Sequence, residues 1–138
     1  MADNIHLEIV TPEKKVVSED VQMVVAPGSL GEFGVLSGHT PFMTSLKIGA
    51  VRYDDDAGGQ RIVFVSGGFA EALPDKVTIL AESAERRRDI DPERAKAAKT
   101  RAEERLAREA DETVNDTRAR AALMRAILRI QLVESHTA

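Results

Sequence analysis

The sequence predicts two domains, an N-terminal antiparallel β-sandwich over residues 1–86 and a C-terminal antiparallel two-helix hairpin over residues 87–138. Two observations predict this division. All nine glycines and all five aromatic residues lie at or before position 69, and these residues are typical of turns and strands respectively. From residue 89 onward, alanine, arginine, glutamate and leucine dominate, and these residues favour helices.

Short alternating segments predict the strands of the first domain. Ile5, Leu7 and Ile9 alternate with their neighbours, and a period of two buries one face of a strand. The same alternation is expected at Val21, Met23 and Val25. Further strands are predicted at 33–36, 42–46, 50–53, 61–65, 69–73 and 77–81, with a polar turn at 54–59. Strands about every eight to twelve residues without a long helix between them are typical of a sandwich or a flattened barrel.

The first helix of the hairpin has a clear start and a narrow apolar seam. Asp91 can cap its free amides, and Pro92 is tolerated at the first helical position. The seam consists of residues three and four apart, namely Ala95, Ala98, Ala102, Leu106 and Ala110. Alanines permit close approach but bury little area, so the sequence predicts a hairpin of marginal stability.

The second helix is predicted to follow a turn at 111–116 and to run to about Val133. Its apolar face is broad and includes Leu123, Ile127 and Ile130. This face exceeds what an alanine seam can cover. The hairpin is therefore expected to dock on the sandwich, on another protein, or on each in turn.

The overall composition excludes several classes of function. The formal charge is −4, from 19 basic and 23 acidic side chains, which gives no electrostatic footprint for nucleic acid or for an anionic lipid surface. The chain has no cysteine, which excludes disulfides, thiol catalysis and cysteine-bound zinc. No apolar stretch approaches the ~20 residues that cross a bilayer, and no secretory signal is expected at the N-terminus. Membrane association is therefore expected only through partner proteins.

His39 is the one residue whose setting suggests catalysis. It lies in a loop between Gly38 and Pro41, and no second histidine is near it in sequence. A lone histidine in such a loop has two interpretations, a catalytic one and a structural or interfacial one, and the second is favoured. No nucleophile, phosphate-loop or metal-ligand spacing occurs. We therefore predict no catalytic residue and no metal site.

Arginines on the second helix suggest a different kind of chemistry. Arg118, Arg125 and Arg129 stand seven and four residues apart and so share one helix face. They have two interpretations, a solvated face or a surface that binds an acidic partner or a phosphate group.

Five motifs in order carry a resemblance to a known family. They are residues 6–12 (HLEIVTP), 28–35 (GSLGEFGV), 38–41 (GHTP), 65–68 (VSGG) and 77–81 (VTILA). With the two-helix tail, they span nearly the whole chain. The sequence resembles the epsilon subunits of bacterial F-type ATP synthases.

The resemblance implies a ten-stranded sandwich in the rotor, or central stalk, of the enzyme complex that couples proton flow to ATP synthesis. The sandwich would join the gamma subunit to the c-ring, with contacts at Gly31, Glu32, Gly38, His39 and Pro41. The subunit itself would be non-catalytic. It would lie at the cytoplasmic face of the bacterial inner membrane as a peripheral protein.

The resemblance also implies that the hairpin has two arrangements, one folded on the sandwich and one extended along gamma. In the extended arrangement Arg118, Arg125 and Arg129 would contact the alpha and beta subunits and inhibit ATP hydrolysis. Two such arrangements require states that differ by only a few kcal/mol.

A further motif implies ATP as a candidate regulatory ligand, although no cofactor is required. Ile90, Asp91, Arg94 and Ala95 match the motif of epsilon subunits that bind ATP. Residues near the other ATP-contacting positions of the family are Glu85, Arg101, Arg118, Arg125 and Arg129. The alternative is that Asp91 is only a helix cap and Arg94 only a surface residue.

The competing interpretation is a free-standing β-sandwich binding module with a helical tail. It predicts a monomer with no affinity for gamma. An enzyme would need a buried polar cluster, which the sequence does not indicate.

Overall fold

The computed structural model describes residues 3–108 and 116–135. The chain forms two compact units, one ending at Arg86 and the other beginning at Arg87. The described part of the first unit contains seven strands: β1 (Ile5–Val10), β2 (Lys15–Gly28), β3 (Gly31–Val35), β4 (Phe42–Asp55), β5 (Gln60–Ala72), β6 (Lys76–Ala81) and β7 (Ala84–Arg86). The described part of the second contains a 3₁₀ turn (Arg87–Asp89) and the helices α1 (Pro92–Ala107) and α2 (Asp116–Glu134). The predicted fold class, a β-sandwich followed by a helical hairpin, is confirmed.

The strands close into a flattened barrel. Neighbouring strands run in the order β1-β6-β5-β4-β2, and β2 pairs back with β1, while β3 extends from β2 and β7 from β5. The pairs are antiparallel except β1 and β6, which are parallel. The exception has a topological cause: a closed ring of five strands cannot alternate in direction at every step, so one pair must be parallel.

Three long strands explain why seven strands are described where the resemblance implies ten. β2, β4 and β5 contain 14, 14 and 13 residues. Each is a single continuous strand that is long enough to be counted as two shorter ones. β5 pairs with β7 before Gly67 and with β6 from Gly68 onward. The strands predicted separately at 42–46 and 50–53 are one strand, as are those at 61–65 and 69–73. The short strand β7 was not predicted.

A β-bulge in β2 makes part of the predicted alternation wrong. Val21 is buried as expected, but Val24 and Ala26, rather than Met23 and Val25, lie in the core beyond it. The register with β4 shifts between Val21 and Met23. An extra residue at this point moves the following side chains to the opposite face.

The hairpin begins as predicted. The Asp91 carboxylate accepts hydrogen bonds from the amides of Glu93 and Arg94, at 3.0 and 3.2 Å, and Pro92 is the first helical residue. Ala110 and residues 111–115 of the predicted turn lie outside the described residues.

The seam between α1 and α2 consists of alanines on both helices. Ala95 and Ala102 of α1 and Ala119 and Ala126 of α2 are buried, and the two helices pack against each other. The leucines and isoleucines expected to dominate the α2 face are only half-buried, at Leu123, Ile127 and Ile130. The small residues permit a close helix pair that buries a modest apolar area.

Candidate functional site

The segment that contains Glu32 lies at an edge of the sandwich. The turn before it carries Leu30, whose side chain is 100% exposed, and Gly31 has a φ of 137°. Glu32 lies on β3, and its Oε1 accepts a hydrogen bond from Arg52 Nη2 at 3.0 Å. Arg52 lies on β4, so its side chain reaches across the intervening strand β2.

The loop that contains His39 is held by backbone hydrogen bonds. The Gly38 amide donates to the Pro74 carbonyl at 2.7 Å, and the His39 amide donates to the Leu36 carbonyl at 3.1 Å. The His39 ring nitrogen Nδ1 lies 2.7 Å from the Thr40 carbonyl. Since a carbonyl only accepts, Nδ1 carries the proton in this bond. These bonds help to hold the loop, and whether His39 lies in an interface stays a prediction.

Aromatic contacts connect these two segments. The His39 and Phe42 rings lie 5.1 Å apart, and the Phe42 and Phe33 rings lie 5.0 Å apart with an interplanar angle of 83°. Edge-to-face pairs of this kind add to the stability that burial supplies. Phe33 follows Glu32 on β3, so these ring contacts join β3 to the loop of His39. The Glu32 side chain points to the opposite face of the strand from that of Phe33.

An apolar stripe on the outer face of the sandwich was not singled out from the sequence. Phe69 of β5 and Leu80 of β6 face each other in register and are 60% and 56% exposed. Val10 of β1 pairs with Leu80, and Met43 of β4, 72% exposed, is diagonal to Phe69. We call these four residues the apolar stripe. Phe69 and Leu80 lie within the strands predicted at 69–73 and 77–81, but the sequence analysis did not predict which face of either strand points outward.

Charged residues lie beside the apolar stripe. Glu8 Oε1 lies 3.4 Å from Lys15 Nζ, and Glu8 Oε2 lies 3.8 Å from Lys76 Nζ. Partial burial alone would raise the pKa of Glu8, but the hydrogen bond and charge of Lys15 and the charge of Lys76 outweigh it and lower that pKa. His6 Nδ1 contacts Asp20 Oδ1 at 2.9 Å. The stripe thus has a polar border, as protein interfaces commonly have.

The residues that match the ATP motif lie at the end of the sandwich and on the hairpin. Glu85 lies on β7 and is half-buried, whereas Ile90 and Ala95 are buried. The Asp91 carboxylate is engaged as the helix cap, which agrees with the alternative reading of that residue. Arg94, Arg101 and Arg118 are exposed, while Arg125 and Arg129 are half-buried.

Arginines of both helices lie on the same side of the alanine seam. Each of four arginines immediately precedes a buried alanine, as Arg94–Ala95, Arg101–Ala102, Arg118–Ala119 and Arg125–Ala126. In an antiparallel pair that packs through these alanines, the residues before them lie on the same side of the pair. Arg129 follows Arg125 by one turn and shares that side. We call these five residues the arginine strip.

By class, this is a two-domain protein in which a β-sandwich with an exposed apolar stripe precedes an α-helical hairpin with an arginine strip. No helix within residues 3–108 and 116–135 is both long and apolar enough to cross a bilayer. Residues 4–87 match the family described as ATP synthase, Delta/Epsilon chain, beta-sandwich domain. Residues 88–134 match the family described as ATP synthase, Delta/Epsilon chain, long alpha-helix domain. The chain therefore belongs to the delta/epsilon chain family of ATP synthases.

Curated relatives agree with this assignment. An ATP synthase epsilon chain of Desulforapulum autotrophicum is 61% identical over 135 residues, which cover 98% of this chain and 99% of the relative. An ATP synthase epsilon chain of Syntrophobacter fumaroxidans is 57% identical, covering 97% and 98% of the two chains. Both similarities extend over the sandwich and the hairpin together.

A solved structure shows the same fold. A chain in the Euglena gracilis mitochondrial ATP synthase, in a structure of its OSCP/F1/c-ring part, superposes with a TM-score of 0.79 at 24% identity. The match covers 100% of this chain and 84% of that one.

Proposed function

We propose that this chain is the epsilon subunit of the ATP synthase rotor and joins the c-ring to the gamma subunit without contributing a catalytic residue. The observation that carries this proposal is the apolar stripe on a well-packed sandwich, in a chain whose close relatives are epsilon chains. An exposed apolar patch with a polar border is the usual mark of a protein–protein interface. The complex synthesises ATP from the energy of proton flow.

The two docking surfaces have different chemistry. We assign the apolar stripe to the gamma subunit, because large exposed side chains such as Phe69 and Leu80 gain most from a stable, dry interface. We assign the polar segments that contain Glu32 and His39 to the gamma/c-ring junction. As part of this complex the chain would be a peripheral protein at the cytoplasmic face of the bacterial inner membrane.

Binding to purified gamma subunit tests the assignment of the stripe. Phe69→Asp places a charge in the proposed interface, and Gln60→Asp places the same charge at an exposed position of the same strand. We expect Phe69→Asp to weaken binding at least 30-fold, a loss of about 2 kcal/mol, and Gln60→Asp to bind like the wild type. Wild-type protein that fails to bind gamma would favour the free-standing binding module instead.

The hairpin is proposed to restrain ATP hydrolysis. A narrow alanine seam makes it the less stable unit, and the arginine strip offers charge to acidic surfaces of the alpha and beta subunits. The test compares the full chain with a version that ends at Arg88 in an ATPase assay of the reconstituted catalytic head. We expect both to bind gamma and only the full chain to suppress hydrolysis. Equal suppression would assign the restraint to the sandwich.

ATP is proposed as a regulatory ligand of the hairpin. The arginine strip supplies guanidinium groups on one side of the helix pair, and guanidinium groups bind phosphates through charge-assisted hydrogen bonds. The test is the thermal shift of the full chain with ATP, since a ligand at 100 times its Kd adds about 2.7 kcal/mol. Arg94→Ala should reduce the shift, whereas Lys96→Ala, on the far side of Ala95, should not. Equal shifts for both variants would remove the arginine strip as the ATP site.

A further inference from the structure

The ion pair between Arg52 and Glu32 links strands that are not neighbours. Arg52 pairs in register with Val25 of β2, and Val25 pairs with Gly34 of β3. Glu32 lies two residues before Gly34 on the same face of β3. The guanidinium therefore passes over β2, and Gly34 has no side chain to fill the space beside its path.

Glu32 has little other support near its backbone. Gly31, its predecessor, has a φ of 137° and no atom within 4 Å of the place where a side chain would begin. Leu30 before it is fully exposed. β3 is an edge strand that pairs with β2. A carboxylate in this setting would sample several rotamers unless a partner fixed it.

The Arg52–Glu32 ion pair is exposed enough to contact a partner protein. The side chains of Arg52 and Glu32 are 42% and 54% exposed, so both charged ends are accessible to another protein. The bond uses Oε1 of Glu32, which leaves Oε2 to accept from a donor on a partner.

We propose that Arg52 is a positioning residue, which holds the Glu32 carboxylate in the orientation that the c-ring binds. This inference rests on the proposed function, in which Glu32 contacts the ring. Arg52 fixes the carboxylate before docking, so that less side-chain entropy is lost on binding.

The test measures binding of the full chain to a gamma–c-ring subcomplex. We expect Arg52→Ala to weaken binding about three- to five-fold, which lies in the upper part of the range that an exposed ion pair contributes. Arg52→Lys should recover most of this loss, because only one N–H···O bond to Glu32 has to be replaced. Arg52→Ala should lower thermal stability only slightly, as expected for the loss of one exposed ion pair. Arg61→Ala, which breaks the 3.1 Å ion pair with Asp55 in the same sheet, is the matched control and should bind like the wild type.

A double variant and a swapped pair separate positioning from simple stabilisation. Glu32→Gln with Arg52→Ala should bind no more weakly than Glu32→Gln alone, since Arg52 acts through the carboxylate. The swap Glu32→Arg with Arg52→Glu re-forms an ion pair but presents the wrong charge, so binding should not recover. Full binding by the swapped variant would overturn the inference.

The remaining outcomes are distinguishable from one another. If the wild type does not bind the subcomplex, the proposed function itself fails. If Glu32→Gln binds like the wild type, Glu32 is not a ring contact and the inference fails with it. If Glu32→Gln weakens binding and Arg52→Ala does not, the inference alone is wrong.

Discussion

Asp55 organises the turn between β4 and β5. Its Oδ1 accepts from the amides of Gly59 at 2.7 Å and Ala57 at 3.0 Å, and its Oδ2 accepts from Arg61 Nε at 3.1 Å. The Gly59 amide, and then Arg61, lower the pKa of this carboxyl. A carboxyl whose pKa is lower in the folded state stabilises that state above its unfolded pKa of about 3.9, and this contribution is lost as pH falls through the folded pKa.

We therefore predict that Asp55→Asn is less stable than the wild type at pH 7 and that this difference shrinks as the pH falls below about 4. Asparagine can keep the turn geometry through its own carbonyl oxygen, so the variant removes mainly the charge. Urea unfolding at pH 7, 5 and 3 measures the difference. A difference that stays constant over this range would show that the charge of Asp55 contributes nothing.

Arg86 on β7 links the last strand of the sandwich to β4 and β2 through hydrogen bonds. Its Nη1 donates to the Tyr53 hydroxyl at 3.1 Å, and its Nη2 donates to the Val16 carbonyl at 3.2 Å. Tyr53 is 1% exposed, and burial, followed by its hydrogen bond with Glu19, raises its pKa. Removing Arg86 would take one hydrogen bond from the Tyr53 hydroxyl, which keeps its bond with Glu19, and one from the Val16 carbonyl, and each lost bond lowers stability.

Arg86→Ala is predicted to lower the free energy of unfolding by about 1–3 kcal/mol. Tyr53→Phe should cost less, because Arg86 keeps its hydrogen bond to the Val16 carbonyl in that variant. Chemical unfolding of both single variants and the double variant gives their coupling. Additive effects would contradict a direct Arg86–Tyr53 interaction, and Arg87→Ala, one residue further along, serves as the control.

At the scale of elements, Gly68 permits the close approach of β5 and β6. Its φ is 135°, and a methyl group on its Cα would collide with the Leu80 carbonyl oxygen. Gly68→Ala is therefore predicted to destabilise the sandwich by about 3 kcal/mol or more. Gly34→Ala in β3 is the matched control, since the nearest atoms lie 3.9 Å from the new methyl group and little change is expected. Equal melting temperatures for the two variants would contradict the constraint at Gly68.

The same glycines show why strand ends were harder to predict than strands. The alternation of Ile5, Leu7 and Ile9 depends only on local period, and all three are fully buried. The Gly67–Gly68 pair separated two predicted strands in the sequence. In the structure both glycines have positive φ values, but β5 continues through them without interruption. The bulge after Val21 inserts a residue without any turn signal, so no local pattern could place it.

The candidate residues that could be picked out from the sequence are those that lie within distinctive glycine-containing motifs. Glu32 on β3 and His39 in its loop are of this kind, and their contacts with partner subunits stay predictions. The apolar stripe depends on which strands are neighbours, because Val10 and Leu80 are far apart in sequence and meet only through the parallel pair β1–β6. The arginine strip likewise needed the alanine seam of both helices to be known.

At the scale of the whole molecule, the two units differ in how they are held together. The sandwich has a contiguous core of buried valine, isoleucine and leucine side chains, whereas the helix seam is built on alanines such as Ala102. A larger side chain in a close seam pushes the helices apart, at a cost of about 1–3 kcal/mol. Leucine has nearly the same helix propensity as alanine, so a leucine substitution tests packing alone.

Ala102→Leu is therefore predicted to destabilise the hairpin by that amount, whereas Ala97→Leu, at an exposed position of the same helix, should be nearly neutral. Hydrogen exchange measures both units at once. In the Ala102→Leu variant the amides of α1 and α2 should exchange faster while those of β4 and β5 keep their protection. If Ala102→Leu stabilised the hairpin, the seam would have space for a larger side chain and the prediction would be wrong. A uniform loss across both units would mean that they unfold as one, which is incompatible with a hairpin that changes its arrangement while the sandwich stays docked.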